Sequence, residues 1–177
     1  METALISIIC IALMVFGGMA MSQGFMTSVD ASTAGLSEIG QMTETTMRTE
    51  LTPISAVITA VPGTDPLNIV LENTGQTKIA DFDRWDVIVQ YYSGGGGSTY
   101  NVRWLPYDDT PPIPNNQWTV SWISLDGEDE TFEPNILNPG ERITISAYIF
   151  PAVTVGTTNM VTISTPVGVT CSTYFTR

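Results

Sequence analysis

Between Thr3 and Val29 the chain runs for 27 residues, TALISIICIALMVFGGMAMSQGFMTSV, without a single charge. No other feature narrows the possible folds as sharply. A bilayer crossing takes about 20 apolar residues, so this stretch is long enough to make one. It contains no Pro and is rich in Ala, Leu, Ile and Met, which predicts an α-helix. Leu5, Ile6, Ile8, Ile11, Leu13 and Met14 fall on different sides of such a helix. A helix that is hydrophobic all round must be enclosed by lipid or by protein.

The flanks bear on which of the two it is. A secretory signal begins with a positively charged region and ends at a small-residue cleavage site. A conventional anchor carries Lys or Arg at its cytoplasmic end. Here the first positive charge is Arg48, and the only charge ahead of the apolar run is Glu2. The expectation is that a basic leader has been removed from ahead of Met1.

After Val29 the helix is expected to continue with a different character. Asp30, Glu38 and Glu44 appear among Leu36, Ile39, Met42 and Met47, which suggests an apolar stripe with a solvated back. Gly24, Gly35 and Gly40 each weaken it by about 1 kcal/mol relative to Ala, so it depends on neighbours. Pro53 is expected to end it, because Pro biases Thr52 away from helical angles. A continuous helix from Thr3 to Leu51 would be roughly 70 Å long. The domains expected are residues 1–53, a core helix, and residues 54–177, a separate β domain.

From Ile54 onward the pattern is that of strands. Leu67, Ile69 and Leu71 alternate with polar or smaller neighbours, as do Trp85, Val87, Val89 and Tyr91. A flexible hairpin loop at Gly94–Gly97 leads to Tyr100, Val102 and Trp104. After the prolines at 111, 112 and 114 come Trp118, Val120 and Trp122, then Ile143, Ile145, Ala147 and Ile149. Val161 with Ile163, and Val169, Cys171, Thr173 and Phe175, complete the chain. Short half-buried strands separated by Gly, Pro and Asn turns indicate an antiparallel sandwich. The fold class is therefore α+β: a long N-terminal hydrophobic α-helix followed by an antiparallel Ig-like β-sandwich. The tryptophans read as core and strand-face residues.

Charge and composition exclude several functions. Eighteen acidic against six basic residues give a net charge of −12, the wrong sign for neutralising nucleic-acid phosphates. The chain has no His, so Ser-His-Asp and Cys-His catalytic sets cannot form, nor can His-bound zinc or blue-copper sites. Asp81 with Asp83, and Asp108 with Asp109, sit in loop-like surroundings and match no catalytic pattern. The acidic run around Asp126, Glu128 and Asp129 offers oxygen ligands of the kind calcium takes, but without EF-hand spacing; a solvated turn is the simpler reading. No cofactor is expected. Cys10 and Cys171 are too differently placed to bridge and read as buried free thiols.

The order of an uncharged helix, a polar helix and a sandwich resembles the archaeal flagellins (archaellins), which are built on a type IV pilin-like N-terminus. Three local features support the likeness. ALISIICIALMVFGGMAMSQGFMTSV looks like the mature N-terminal helix left after a class III signal peptide is cleaved. Leu137-Asn138-Pro139-Gly140-Glu141 resembles the family's LxPGE-like turn. Thr165-Pro166-Val167-Gly168-Val169, with Phe175 near the terminus, looks like the last hairpin. The Asn-x-Ser/Thr glycosylation sequons frequent in archaellins are absent, and Glu2 is the only candidate for the early glutamate of type IV pilins.

The resemblance implies a filament subunit of the cell surface, inserted in the membrane before assembly and handled by a prepilin-type peptidase and the archaellum or pilus assembly machinery. Helices of many copies would bundle through Leu5, Ile8, Ile9, Ala12, Leu13, Phe16 and Met19. Gly17, Gly18 and Ala20 would permit close approach. Swimming motility driven by a basal motor is the implied role. An adhesive pilin of the same fold and a membrane-anchored Ig-like or stator module are the rival readings; an anchored enzyme is disfavoured by the missing His.

Overall fold

The computed structural model describes all residues except positions 1, 60–65, 98, 126, 130, 131 and 134. It divides into two compact units, Met1–Glu44 and Thr45–Arg177.

The first unit lies within one helix, α1 (Glu2–Arg48). Several of its hydroxyls bond back to carbonyls of the helix itself. Ser7 donates to the Thr3 carbonyl at 2.8 Å, Thr27 to Gln23 at 3.0 Å, Ser32 to Ser28 at 2.8 Å and Thr33 to Val29 at 2.9 Å. Back-bonding of this kind lets Ser and Thr sit on a helix surface that water does not reach.

The helix ends at Arg48, ahead of Pro53, and the expected end at Pro53 is corrected. The cause is non-local. The Arg48 carbonyl, which has no partner within the helix, accepts the Gln76 backbone N–H at 2.7 Å, while the Glu50 carbonyl accepts those of Thr74 and Gly75 at 3.1 and 3.2 Å. The buried Thr49 hydroxyl donates to the Thr45 carbonyl at 2.7 Å and lies 2.5 Å from that of Thr77. Thr46 adds a bond to the Val167 carbonyl at 2.9 Å. These contacts turn the chain into β1 (Leu51–Ile58). Pro53 is accommodated inside β1, where the register shifts between Pro53 and Ser55; an edge strand tolerates a missing N–H.

The second unit is an antiparallel β-sandwich. One sheet has the order β1-β2-β7-β5-β6, with β2 Pro66–Asn73, β5 Gln117–Leu125, β6 Glu128–Asp129 and β7 Arg142–Tyr148. The other has the order β4-β3-β8-β9, with β3 Asp86–Ser93, β4 Thr99–Leu105, β8 Thr158–Ser164 and β9 Thr170–Thr176. The expected inward sets form the core: Leu67, Ile69 and Leu71 pair across β2/β7 with Ala147, Ile145 and Ile143, and all six are fully buried. Val87, Val89 and Tyr91 face them from β3, and Trp85 and Trp118 fill the core.

Two strands depart from simple alternation. In β5 a bulge between Val120 and Trp122 reverses the phase, so Trp118 is buried, Trp122 is half exposed and Ile123 turns inward. In the edge strand β4 the alternating set Tyr100, Val102 and Trp104 points outward, and only Leu105 is buried. Tyr100 packs on Tyr92 with ring centroids 5.1 Å apart, and the Trp104 indole N–H donates to Asp86 at 2.8 Å.

Candidate assembly surface

The residues expected to bundle all lie on α1, and helical geometry sorts them. At 100° per residue, Leu5, Ile8, Ile9, Ala12, Leu13, Phe16, Met19 and Ala20 share one stripe roughly 140° wide. Gly17 and Gly18 fall outside it. Every one of these residues is exposed within the chain, with Leu13 68% and Phe16 76% accessible. Gly17 and Gly18 have nothing within 4 Å of where a Cβ would stand. Ile6, Ile11 and Met14 on the remaining sides are exposed as well. Cys10 shares this exposure and is not the buried thiol expected from the sequence; Cys171 is buried. The reason is that burial of a helical residue needs a second element, and the unit that holds Cys10 lies within the single helix α1. By length and composition α1 can cross a membrane.

The other sequence candidates are dispersed. Asp126 lies outside the described residues. Glu128 and Asp129 stand exposed on the two-residue strand β6, where the Asp129 carboxylate accepts the Trp122 indole N–H. No three His, Cys, Asp or Glu side chains come together to hold a metal among the described residues. Asp81 lies 3.9 Å from Arg84, and Asp108 accepts the Thr110 backbone N–H at 2.8 Å. The structure nevertheless brings three of these four carboxylates, Asp83, Asp108 and Asp109, near one side chain. Burial, then the charges of Asp109, Asp83 and Asp108, push the Tyr107 phenol above its usual pKa.

One motif gains a mechanism. Leu137 is fully buried and bridges to Ile79. The Glu141 N–H closes the turn onto the Asn138 carbonyl at 3.1 Å, and Gly140 has φ +86°, as a turn with Pro then Gly at its centre requires. The buried Glu141 carboxylate accepts the Asn138 backbone N–H at 2.7 Å. Asn73, also fully buried, donates to the Thr77 and Leu137 carbonyls at 2.8 and 3.0 Å. Sequence reasoning picks out the motif but misses Asn73; an Asn ending an otherwise apolar strand is the available signal.

The chain resembles known proteins of the archaellum. The archaellum periplasmic stator protein FlaG from Sulfolobus acidocaldarius is similar in structure, with a TM-score of 0.51 and 23% identity over 72% of this chain and 99% of that one. The periplasmic stator protein complex of FlaF and FlaG from the same organism matches with a TM-score of 0.44 and 22% identity, over 69% and 89% of the two chains. The first of these likenesses establishes the shared fold. No curated protein sequence matches. A family model for archaeal-type flagellins matches residues 4–175 of the 177, and the chain therefore belongs to the archaeal-type flagellin family.

Proposed function

We propose that this chain is the structural subunit of an archaellum filament, with the α1 helices of many copies forming a hydrophobic core and the sandwiches, residues 54–177 in the sequence division, forming the shell. Family membership makes the function an archaellum-related, structural one at the cell surface. The observation that carries the filament reading further is the apolar surface of α1, exposed on every side over residues 3–29. In lipid such a helix is a span awaiting extraction; in a filament its neighbours are other copies of itself. Subunits related by a rotation that does not close give an open helical polymer. Before assembly the helix resides in the membrane, where a prepilin-type peptidase and the archaellum machinery act on it. The flagellin family supports motility over adhesion as the role of that filament.

The test is Leu13→Asp, which puts an uncompensated charge in the centre of the bundle stripe. Filaments sheared from cells and viewed by negative-stain electron microscopy are expected for the wild type and lost in the variant. The variant sandwich keeps its sheet signal. Intact Leu13→Asp filaments would sink the helical core. A wild-type chain found only as a detergent-soluble monomer would favour the stator-like module instead.

A further inference from the structure

The sandwich carries a groove of about 970 Å³ on the five-stranded sheet, remote in sequence from α1. Such a volume lies in the range of ligand-binding clefts. Thr119, Ser121 and Trp122 come from β5 and Tyr148 from β7, with Tyr107 and Asp109 on the loop that follows β4 and Asp129 on β6. The bulge in β5 is what sends Trp122 outward. Its indole N–H is held by Asp129, so an aromatic plane is fixed in position while remaining 42% exposed.

Charge selects what fits. Asp109 and Asp129 line the groove, and no Lys or Arg does so among the described residues. Asp83 and Asp108 add to the negative field at Tyr107. A concave surface lined by one sign of charge concentrates counter-ions. A bare metal ion is the poorer match, because calcium takes six to eight oxygens and no three candidate ligands gather here among the described residues. Aromatic faces beside carboxylates suit a flat organic cation. A guanidinium stacks on indole or phenol rings and bonds carboxylates in the same plane. This chain is a sparing source of one: of its six basic residues five are Arg, and Arg84 and Arg142 already face Asp81 and Glu72 while Arg177 donates to the Val153 carbonyl.

We infer that the groove between Tyr107, Trp122 and Tyr148 binds an arginine side chain presented by a basic segment of a different protein. The inference stands apart from filament assembly, since the groove lies wholly within the Thr45–Arg177 unit.

The experiment uses the full chain in nonionic detergent, with the Trp122 indole N–H followed by NMR during titration with tri-arginine amide. A saturable shift is expected, weakened at least tenfold in Asp109→Asn and by raised salt. The neutral tri-citrulline amide should leave the resonance unmoved. Asp109 is exposed, so Asp109→Asn leaves the Trp122–Asp129 bond in place and should not disturb folding. Absence of a saturable shift, equal binding of the citrulline peptide, or unchanged affinity in Asp109→Asn would each overturn the proposal. So would calcium chloride reproducing the shift, or dilution of the protein alone moving the same resonance, which would identify an inorganic ion or a second copy as the occupant.

Discussion

Gly75 lies directly against Glu50: a Cβ at Gly75 would stand 2.5 Å from the Glu50 nitrogen and 2.7 Å from the Arg48 carbonyl oxygen. Both atoms are backbone and cannot swing aside. The close approach is what allows residues 74–76 to hydrogen-bond the end of α1 and start β1. Gly75→Ala is therefore expected to destabilise the sandwich by about 1–3 kcal/mol through overpacking. Thermal unfolding followed by the β-sheet circular dichroism of the full chain in detergent measures this. An unchanged midpoint would mean that the segment relaxes freely.

The LNPGE turn makes a second prediction through two separate causes. Gly140 at φ +86° has a backbone that an L side chain adopts only at a cost of about 1–2 kcal/mol, so Gly140→Ala should lose that much. Glu141→Ala removes the acceptor of the Asn138 N–H and should cost about 1–3 kcal/mol for the unsatisfied group. Urea denaturation of the two variants is the measurement. Glu141→Gln, which retains an acceptor oxygen, should fall between wild type and Glu141→Ala.

How far the sequence reveals this architecture depends on whether the determinant is local. The uncharged run to Val29 needs no tertiary partner to declare a helix, and the spacing of Leu5, Ile8, Ile9, Ala12 and Leu13 already marks a stripe. Leu67, Ile69 and Leu71 sit in a central strand flanked on both sides, so their alternation reports the core directly. The end of α1 is misplaced by sequence reasoning because Pro53, a helix breaker, happens to lie in an edge strand; the true stop comes from residues 74–77 capturing Arg48, Thr49 and Glu50. Trp118 and Trp122 share parity and yet face opposite ways, since the bulge in β5 leaves no mark in the pattern of residue types. The apolar set of β4 points outward for a related reason: an edge strand is not obliged to face its larger side chains inward. The groove is illegible in the sequence because Trp122, Asp129 and Tyr148 meet only through the pairing of β5 with β6 and β7, and Tyr107 joins them through its bridge to Trp118.

Gly17 and Gly18 separate assembly from folding. Each has open space where a Cβ methyl would stand within the single chain, so a larger side chain meets no internal obstacle. Replacing either Gly in the helix interior gains up to about 1 kcal/mol of helix propensity. Gly17→Leu and Gly18→Leu are expected to keep or raise helicity in detergent micelles by far-ultraviolet circular dichroism. If these glycines provide close helix approach in the filament, the same variants should yield fewer or shorter filaments by electron microscopy. Normal filaments from both variants would show that neither glycine lies at a tight helix contact.

Cys171 gives the fold a defined sensitivity to alkali. Its side chain is 9% exposed on β9, opposite Ile163, and burial pushes the thiol from 9.0 up to about 11. The neutral thiol is thus favoured in the folded chain. Below pH 9 both folded and unfolded states hold the proton and the contribution to stability is complete. As pH rises from 9 toward 11 the unfolded thiol ionises first, and stability falls by about 2–3 kcal/mol at about 1.4 kcal/mol per unit. Burial also pushes the Tyr91 phenol above its ordinary value, which lowers stability at alkaline pH in the same sense, so the thiol must be isolated by difference. Cys171→Ala should be less stable than wild type at pH 8 because of the cavity it leaves, yet lose less on going to pH 11. Urea unfolding of both proteins at the two pH values provides the comparison, and parallel losses would show that the Cys171 thiol ionises as readily in the folded state as in the unfolded one.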